Sequence, residues 1–149
     1  MYVAMKQEDK DLLLIDLCAR LPYGVKISIP ELWISEKKIE VLNEIFKGDD
    51  GLYRVNNNGM IIEYIKPYLF PLSSMTEEQY NSLYESGILD NCSHSYEYVN
   101  SHIHGVSFIF KGFKTYSLEL IEWLNKNHFD YRGLIPMGLA IDCTNLNIY

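Results

Sequence analysis

Apolar residues in the first twenty positions recur at helical spacing. Leu14, Leu17, Cys18 and Leu21 share one face of a predicted helix over 7–21, and Asp9, Asp16 and Arg20 fall on the other. Asp16 and Arg20 stand four apart in the favourable order, and Glu8, Asp9 and Asp11 sit where the helix macrodipole welcomes negative charge. Pro22 and Gly24 stop the helix, and the period then changes to two. Val25, Ile27 and Ile29 alternate with Lys26 and Ser28, and Pro30 closes this strand. Residues 38–46 fit a strand or a helical turn, and the turn signals that follow favour the strand. Those signals are Gly48-Asp-Asp-Gly51 and Asn56-Asn-Asn-Gly59, where Asn58-Gly59 predicts a two-residue type I′ hairpin turn. Met60, Ile62 and Tyr64 alternate again, which extends an antiparallel meander from Gly24 to Ile65.

Pro67 and Pro71 bracket a connector that is extended, not helical. Ser74 followed by Glu77 reads as a capping box for a helix over 75–86, with Tyr80, Leu83 and Tyr84 as its buried stripe and Gly87 as its stop. The pattern is weakest over 88–115, where 93–101 is polar and aromatic and 106–110 reads as a strand ending at Gly112. A further helix starts near Ser117, with Glu119, Glu122 and Lys126 wet, Leu120, Trp123 and Leu124 dry, and Asn127 as a cap. Gly133, Pro136 and Gly138 break the remainder into turns, with a last short strand over 139–141. No repeat, low-complexity tract or linker divides the chain. The expected fold is α+β: a small antiparallel β-meander packed by about three helices, one single domain over residues 1–149.

Composition narrows the function classes. A chain of 149 residues, 48% hydrophobic and 22% charged, is long enough to bury a core of its own. Its net charge is −7, and between Lys66 and Lys111 it carries Glu77, Glu78, Glu85, Asp90 and Glu97 with no Lys or Arg. A nucleic-acid backbone is repelled by such a stretch, so no nucleic-acid partner is expected, and the acidity reads as a solvated face. The twelve tyrosines suit half-buried sites and recognition surfaces alike. Cys18, Cys92 and Cys143 are odd in number and far apart, which fits reduced thiols in a cytoplasmic protein. No leader or membrane span is legible, so a soluble protein is expected. Cys92, His94, His102 and His104 come nearest to a metal cluster, but their spacing is no standard zinc pattern, and no metal or cofactor is expected.

The densest polar run is His128, Asp130, Tyr131 and Arg132, directly after the last predicted helix. A functional reading makes His128 and Asp130 an acid/base pair and Arg132 an anion clamp in a ligand pocket. The structural reading, a hydrogen-bonded corner locking helix to tail, is favoured because consecutive side chains rarely converge on one substrate atom. No catalytic residue is assigned. Glycine-rich phosphate loops are absent from the sequence.

Three word patterns carry a resemblance. They are Leu17-Cys-Ala-Arg-Leu-Pro-Tyr-Gly-Val25, Lys66-Pro-Tyr-Leu with Ser73-Ser-Met-Thr-Glu-Glu78, and Trp123-Leu-Asn…His128-Phe-Asp-Tyr-Arg-Gly-Leu-Ile135…Gly138-Leu-Ala140. Together they resemble an uncharacterised family of small proteins encoded by phages and prophages of gut Bacteroidales. The resemblance implies a phage origin and the cytoplasm of a bacterial host, and it assigns no site residues. The function expected is a non-catalytic accessory protein that binds a host protein or a small ligand, with counter-defence as its task. The alternative is a sponge for a nucleotide-like signal, or a small enzyme, with a pocket around His128, Tyr131 and Arg132.

Overall fold

A computed structural model describes residues 4–30, 37–92, 94–101, 105–113 and 116–149. In chain order its elements are α1 (Gln7–Arg20), β1 (Lys26–Pro30), β2 (Lys37–Val41), β3 (Ile45–Lys47), β4 (Tyr53–Val55), β5 (Met60–Ile61), β6 (Lys66–Pro71), α2 (Glu77–Glu85), β7 (His94–Ser101), β8 (Gly105–Phe113), α3 (Leu118–Lys126), β9 (Phe129–Asp130) and β10 (Ile141–Asp142). The fold is α+β, with mostly antiparallel strands and, among the described residues, three α-helices, as the hydrophobic pattern predicts. Its residues gather into two compact units, Met1–Leu69 with Leu134–Tyr149, and Phe70–Gly133.

In the first unit the strands run β10-β6-β1-β2. Leu42 N–H donates to the Val25 carbonyl at 2.9 Å beside the Lys26–Val41 pair, so the alternation makes Lys38 and Glu40 the bonded positions of β2. Pro30 opposite Lys37, and Pro67 opposite Ile27, then fall at non-bonded positions, where a missing N–H costs no ladder bond. That is why the connector predicted only to be extended serves as a strand. β10 joins β6 in parallel, with Cys143 N–H donating to the Leu69 carbonyl at 3.0 Å. An antiparallel meander alone does not describe this sheet, and the last strand lies one to two residues beyond its predicted place.

The remaining meander is shorter than predicted. Residues 38–46 split into β2 and β3, and β3-β4-β5 form their own antiparallel sheet. Val55 pairs with Met60, so the turn is the loop Asn56–Gly59 and not a two-residue Asn58-Gly59 turn. Asn56 decides this. It adopts a left-handed φ of 54°, and its buried amide accepts from Asn43 N–H at 3.0 Å while donating to the Val41 carbonyl at 2.9 Å. The alternation from Met60 also fails after Ile61, where Ile62–Tyr64 make a 3-10 turn.

The face of α1 requires a correction as well. Its buried residues are Leu13, Asp16, Leu17 and Arg20, a stripe one residue away from the predicted Leu14, Leu17, Cys18 and Leu21, and Cys18 is exposed. Asp16 and Arg20 are both 0% exposed, and Arg20 Nε donates to Asp16 Oδ2 at 2.8 Å. Two opposite charges that pair with one another enter a core from which either alone is excluded. Leu13 and Leu17 pack there with Val25, Ile27, Leu42, Val55 and Leu69.

The second unit packs α2, α3 and the β7–β8 hairpin around Met75, Tyr80, Leu83, Leu89, Phe110, Leu120, Leu124 and Phe129. β7 falls where the sequence pattern is weakest, and β8 runs past Gly112 to Phe113. The capping box of α2 is Thr76 with Gln79, not Ser74 with Glu77: Gln79 N–H donates to Thr76 Oγ1 at 3.2 Å and Thr76 N–H to Gln79 Oε1 at 2.9 Å. Starting here puts buried Met75 and Tyr80 at the two staple positions flanking the cap, whereas a start at Ser74 puts exposed Ser73 and Glu78 there. Ser74 instead donates to the Pro71 carbonyl at 2.7 Å. In α2, Tyr80 and Leu83 are buried as predicted, and Tyr84 points out.

Candidate functional site

The His128–Arg132 run forms a corner within the second unit. At the end of α3, Asn127 Nδ2 donates to the Trp123 carbonyl at 2.8 Å, which is the predicted cap. The chain then reverses through His128, whose φ of 63° is left-handed. His128 N–H donates to the Asn125 carbonyl at 3.2 Å, and its own carbonyl accepts from Phe70 N–H at 2.8 Å. That bond starts the parallel pairing of β9 with the end of β6, Phe70 opposite Phe129 and Pro71 opposite Asp130. The backbone of the run is therefore engaged in the fold, and His128 Nδ1 is closed to solvent.

Asp130 is 6% exposed. Tyr131 Oη donates to Oδ1 of buried Asn125 at 3.0 Å, and the Arg132 guanidinium carbon lies 4.6 Å from the Tyr131 ring centroid. The Tyr116 ring stands 5.9 Å from Tyr131. Trp123 stacks on Phe129 at 5.7 Å, with ring planes 8° apart. Of the sequence-predicted site residues, Tyr131 and Arg132 come together with Tyr116 as a part-exposed shelf, while Asp130 belongs to the packed interior.

A second surface of the same unit is more open. Tyr80, buried in the core, has its ring 5.1 Å from Tyr96 and 6.2 Å from Tyr84, so two exposed rings flank a buried one. Tyr84 is 63% exposed and Tyr96 49%. Burial pushes the Tyr80 phenol above its ordinary pKa, so its ring stays neutral. A shallow depression runs along α2, lined by Glu77, Glu78, Asn81, Ser82 and Glu85. The exposed Tyr84 ring thus shares α2 with three carboxylates, and Tyr96 flanks Tyr80 from the neighbouring strand. Arg and Lys side chains suit such a surface, since their cations lie over aromatic rings and pair with carboxylates.

The helical spacing predicts Tyr84 in the core, and the carboxylates read as a solvated face. The tyrosine surplus and the basic-free stretch were the signals for this surface, and they lacked only the position of Tyr96 on a strand beside α2. For the candidate zinc set, His102 and His104 lie outside the described residues. Among the described residues no His, Cys, Asp and Glu groups are arranged to hold a metal ion. No helix among them is long and apolar enough to cross a membrane. The chain matches no family model, no curated protein and no solved structure.

Proposed function

We propose that this chain is a non-catalytic accessory protein, of phage origin and acting in the cytoplasm of a bacterial host. It binds a host protein through the Tyr84–Tyr96–α2 surface, with counter-defence as its task. The observation that carries the binding surface is the exposure of Tyr84 and Tyr96 at 63% and 49% on either side of Tyr80, with Glu77, Glu78 and Glu85 exposed on the helix that bears Tyr84. Tyrosine supplies large contact area at little conformational cost, and an open aromatic surface suits a macromolecule better than a small molecule, which favours a concave site. The carboxylates give the partner a chemistry, a surface rich in Arg and Lys. Phage origin rests on the resemblance of the Leu17–Val25, Lys66–Glu78 and Trp123–Ala140 words alone.

Affinity capture from a Bacteroidales lysate, with mass-spectrometric identification, tests the reading. The retained protein, once purified, binds the chain more weakly as salt rises and more weakly still to a Glu77→Gln, Glu78→Gln, Glu85→Gln variant. Binding indifferent to both overturns the assignment of this surface. A second reading is kept for the shelf of Tyr116, Tyr131 and Arg132, where a planar base would stack on the rings and a phosphate would meet the guanidinium. Native mass spectrometry of the protein from its host, with a co-purifying nucleotide as the readout, is the test of that sponge.

A further inference from the structure

The loop Asn56–Gly59 holds the chain's one Asn-Gly step, Asn58-Gly59. Gly59 has no Cβ to shield its backbone nitrogen, and its φ of 64° is a conformation that glycine accepts readily. Asn58 is exposed on the rim of an open niche formed with Glu40, Val41, Asn43, Asn56 and Asn57, so water reaches it. Its amide is also polarised: Asn58 Oδ1 accepts from Met60 N–H at 3.3 Å, a donor placed where charge grows when the amide carbon is attacked.

We infer that Asn58 is a site of spontaneous deamidation that acts as a built-in release for the β4–β5 loop. The Gly59 nitrogen attacks Cγ of Asn58 as its proton passes to water or hydroxide. A new Cγ–N bond closes a five-membered imide, the Cγ–Nδ2 bond breaks, and ammonia leaves with a proton from solvent. Water then opens the imide at either carbonyl, giving aspartate or isoaspartate at position 58. No oxidant or cofactor enters. The brake is the bond from Gly59 N–H to the Asn56 carbonyl, at 3.2 Å the long end of the usual range.

The consequence follows from what Asn58 holds. Its Nδ2 donates to both oxygens of Glu40, at 3.3 and 3.2 Å, and the same carboxylate accepts from Asn56 Nδ2 at 3.2 Å. After deamidation a carboxylate faces a carboxylate, and two donated bonds become a repulsion that the exposed Lys38 ammonium, 2.9 Å from Glu40 Oε1, offsets only in part. Glu40 then draws away from the Asn56 amide, the group that holds Asn43 and Glu44 N–H and the Val41 carbonyl. The neighbouring asparagines are internal controls. Asn56 is buried, and Asn56 and Asn57 are each followed by a residue with a Cβ.

Folded protein is incubated at mildly alkaline pH, beside the same protein unfolded in urea, and both are peptide-mapped by mass spectrometry with isoaspartate detection. The expected result is amide-to-acid conversion at Asn58, slower in the folded than in the unfolded sample, with Asn56 and Asn57 unchanged. Gly59→Ala suppresses it, and because that substitution strains a left-handed position, Asn58→Gln serves as the second blocked variant. In Asn58→Asp the amides of Asn43 and Glu44 exchange hydrogen faster than in the wild type. Absence of conversion at Asn58 in the folded protein overturns the site, and unchanged exchange in Asn58→Asp overturns the release.

Discussion

The α3–β9 corner and the α2–β7 surface belong to the same compact unit and draw on the same kinds of residue, yet they use them in opposite directions. At the corner, Asp130 and Asn125 are buried and Tyr131 spends its hydroxyl on Asn125. On α2, Tyr84 and the carboxylates of Glu77, Glu78 and Glu85 face water. The first unit repeats the contrast with two Asp–Arg pairs at identical spacing. Asp16–Arg20 is 0% exposed on both sides, whereas Asp50 meets Arg54 through two bonds of 2.7 and 2.6 Å with nearly half of the Asp50 side chain in solvent. Residue type and spacing do not say whether a polar group is structural or available to a partner. Burial does.

Substitutions sharpen that contrast, beginning with the largest effect. Asp16→Ala or Arg20→Ala leaves a charge in the core and lowers stability by about 3–5 kcal/mol in urea titrations, whereas Asp16→Leu with Arg20→Met together recovers most of the loss. The Arg54 guanidinium holds the Asp50 carboxyl at about 2, well below its ordinary value. Being exposed, Asp50→Ala leaves the urea midpoint almost where it was, and equal effects from the two pairs break the comparison. Next comes Asp130→Ala, expected to cost about 1–3 kcal/mol because buried partners are stranded. Unchanged melts there put the corner on the functional side. Thr76→Ala then costs about 1 kcal/mol through the lost cap while Ser74→Ala costs less, which fixes where the helix bearing the open surface begins. Smallest is Tyr84→Ser, within about 0.5 kcal/mol of wild type, as expected for an exposed side chain.

How far the sequence reaches follows the same line. The helical spacing in 7–21, the period of two in 25–29 and the glycine and proline punctuation located α1 and β1 and the approximate places of α2 and α3, because those signals act on the backbone locally. The face of α1 was not legible, since Asp16 and Arg20 read as wet until their mutual pairing in the core is known. The start of α2 is misplaced by the local pattern, because Ser74…Glu77 fits a capping box as a word while the tertiary burial of Met75 puts the box at Thr76…Gln79. β6 was seen as extended and not as a strand, because its prolines are tolerated only through the register they meet in β1. For the candidate site, the word His128–Arg132 was visible, but the burial of Asp130 was not. The Tyr84–Tyr96 surface needs a strand and a helix to meet, and periodicity within one segment carries no such information.

The most direct measurement is quantitative capture of the host partner by three immobilised forms: wild type, Tyr84→Ser with Tyr96→Ser, and Arg132→Ala. All are held at a temperature where circular-dichroism melts show each folded. The account predicts that wild type and Arg132→Ala retain the same host protein and that the double tyrosine variant loses it. Retention by the tyrosine variant together with loss by Arg132→Ala contradicts the account and moves the binding site to the corner.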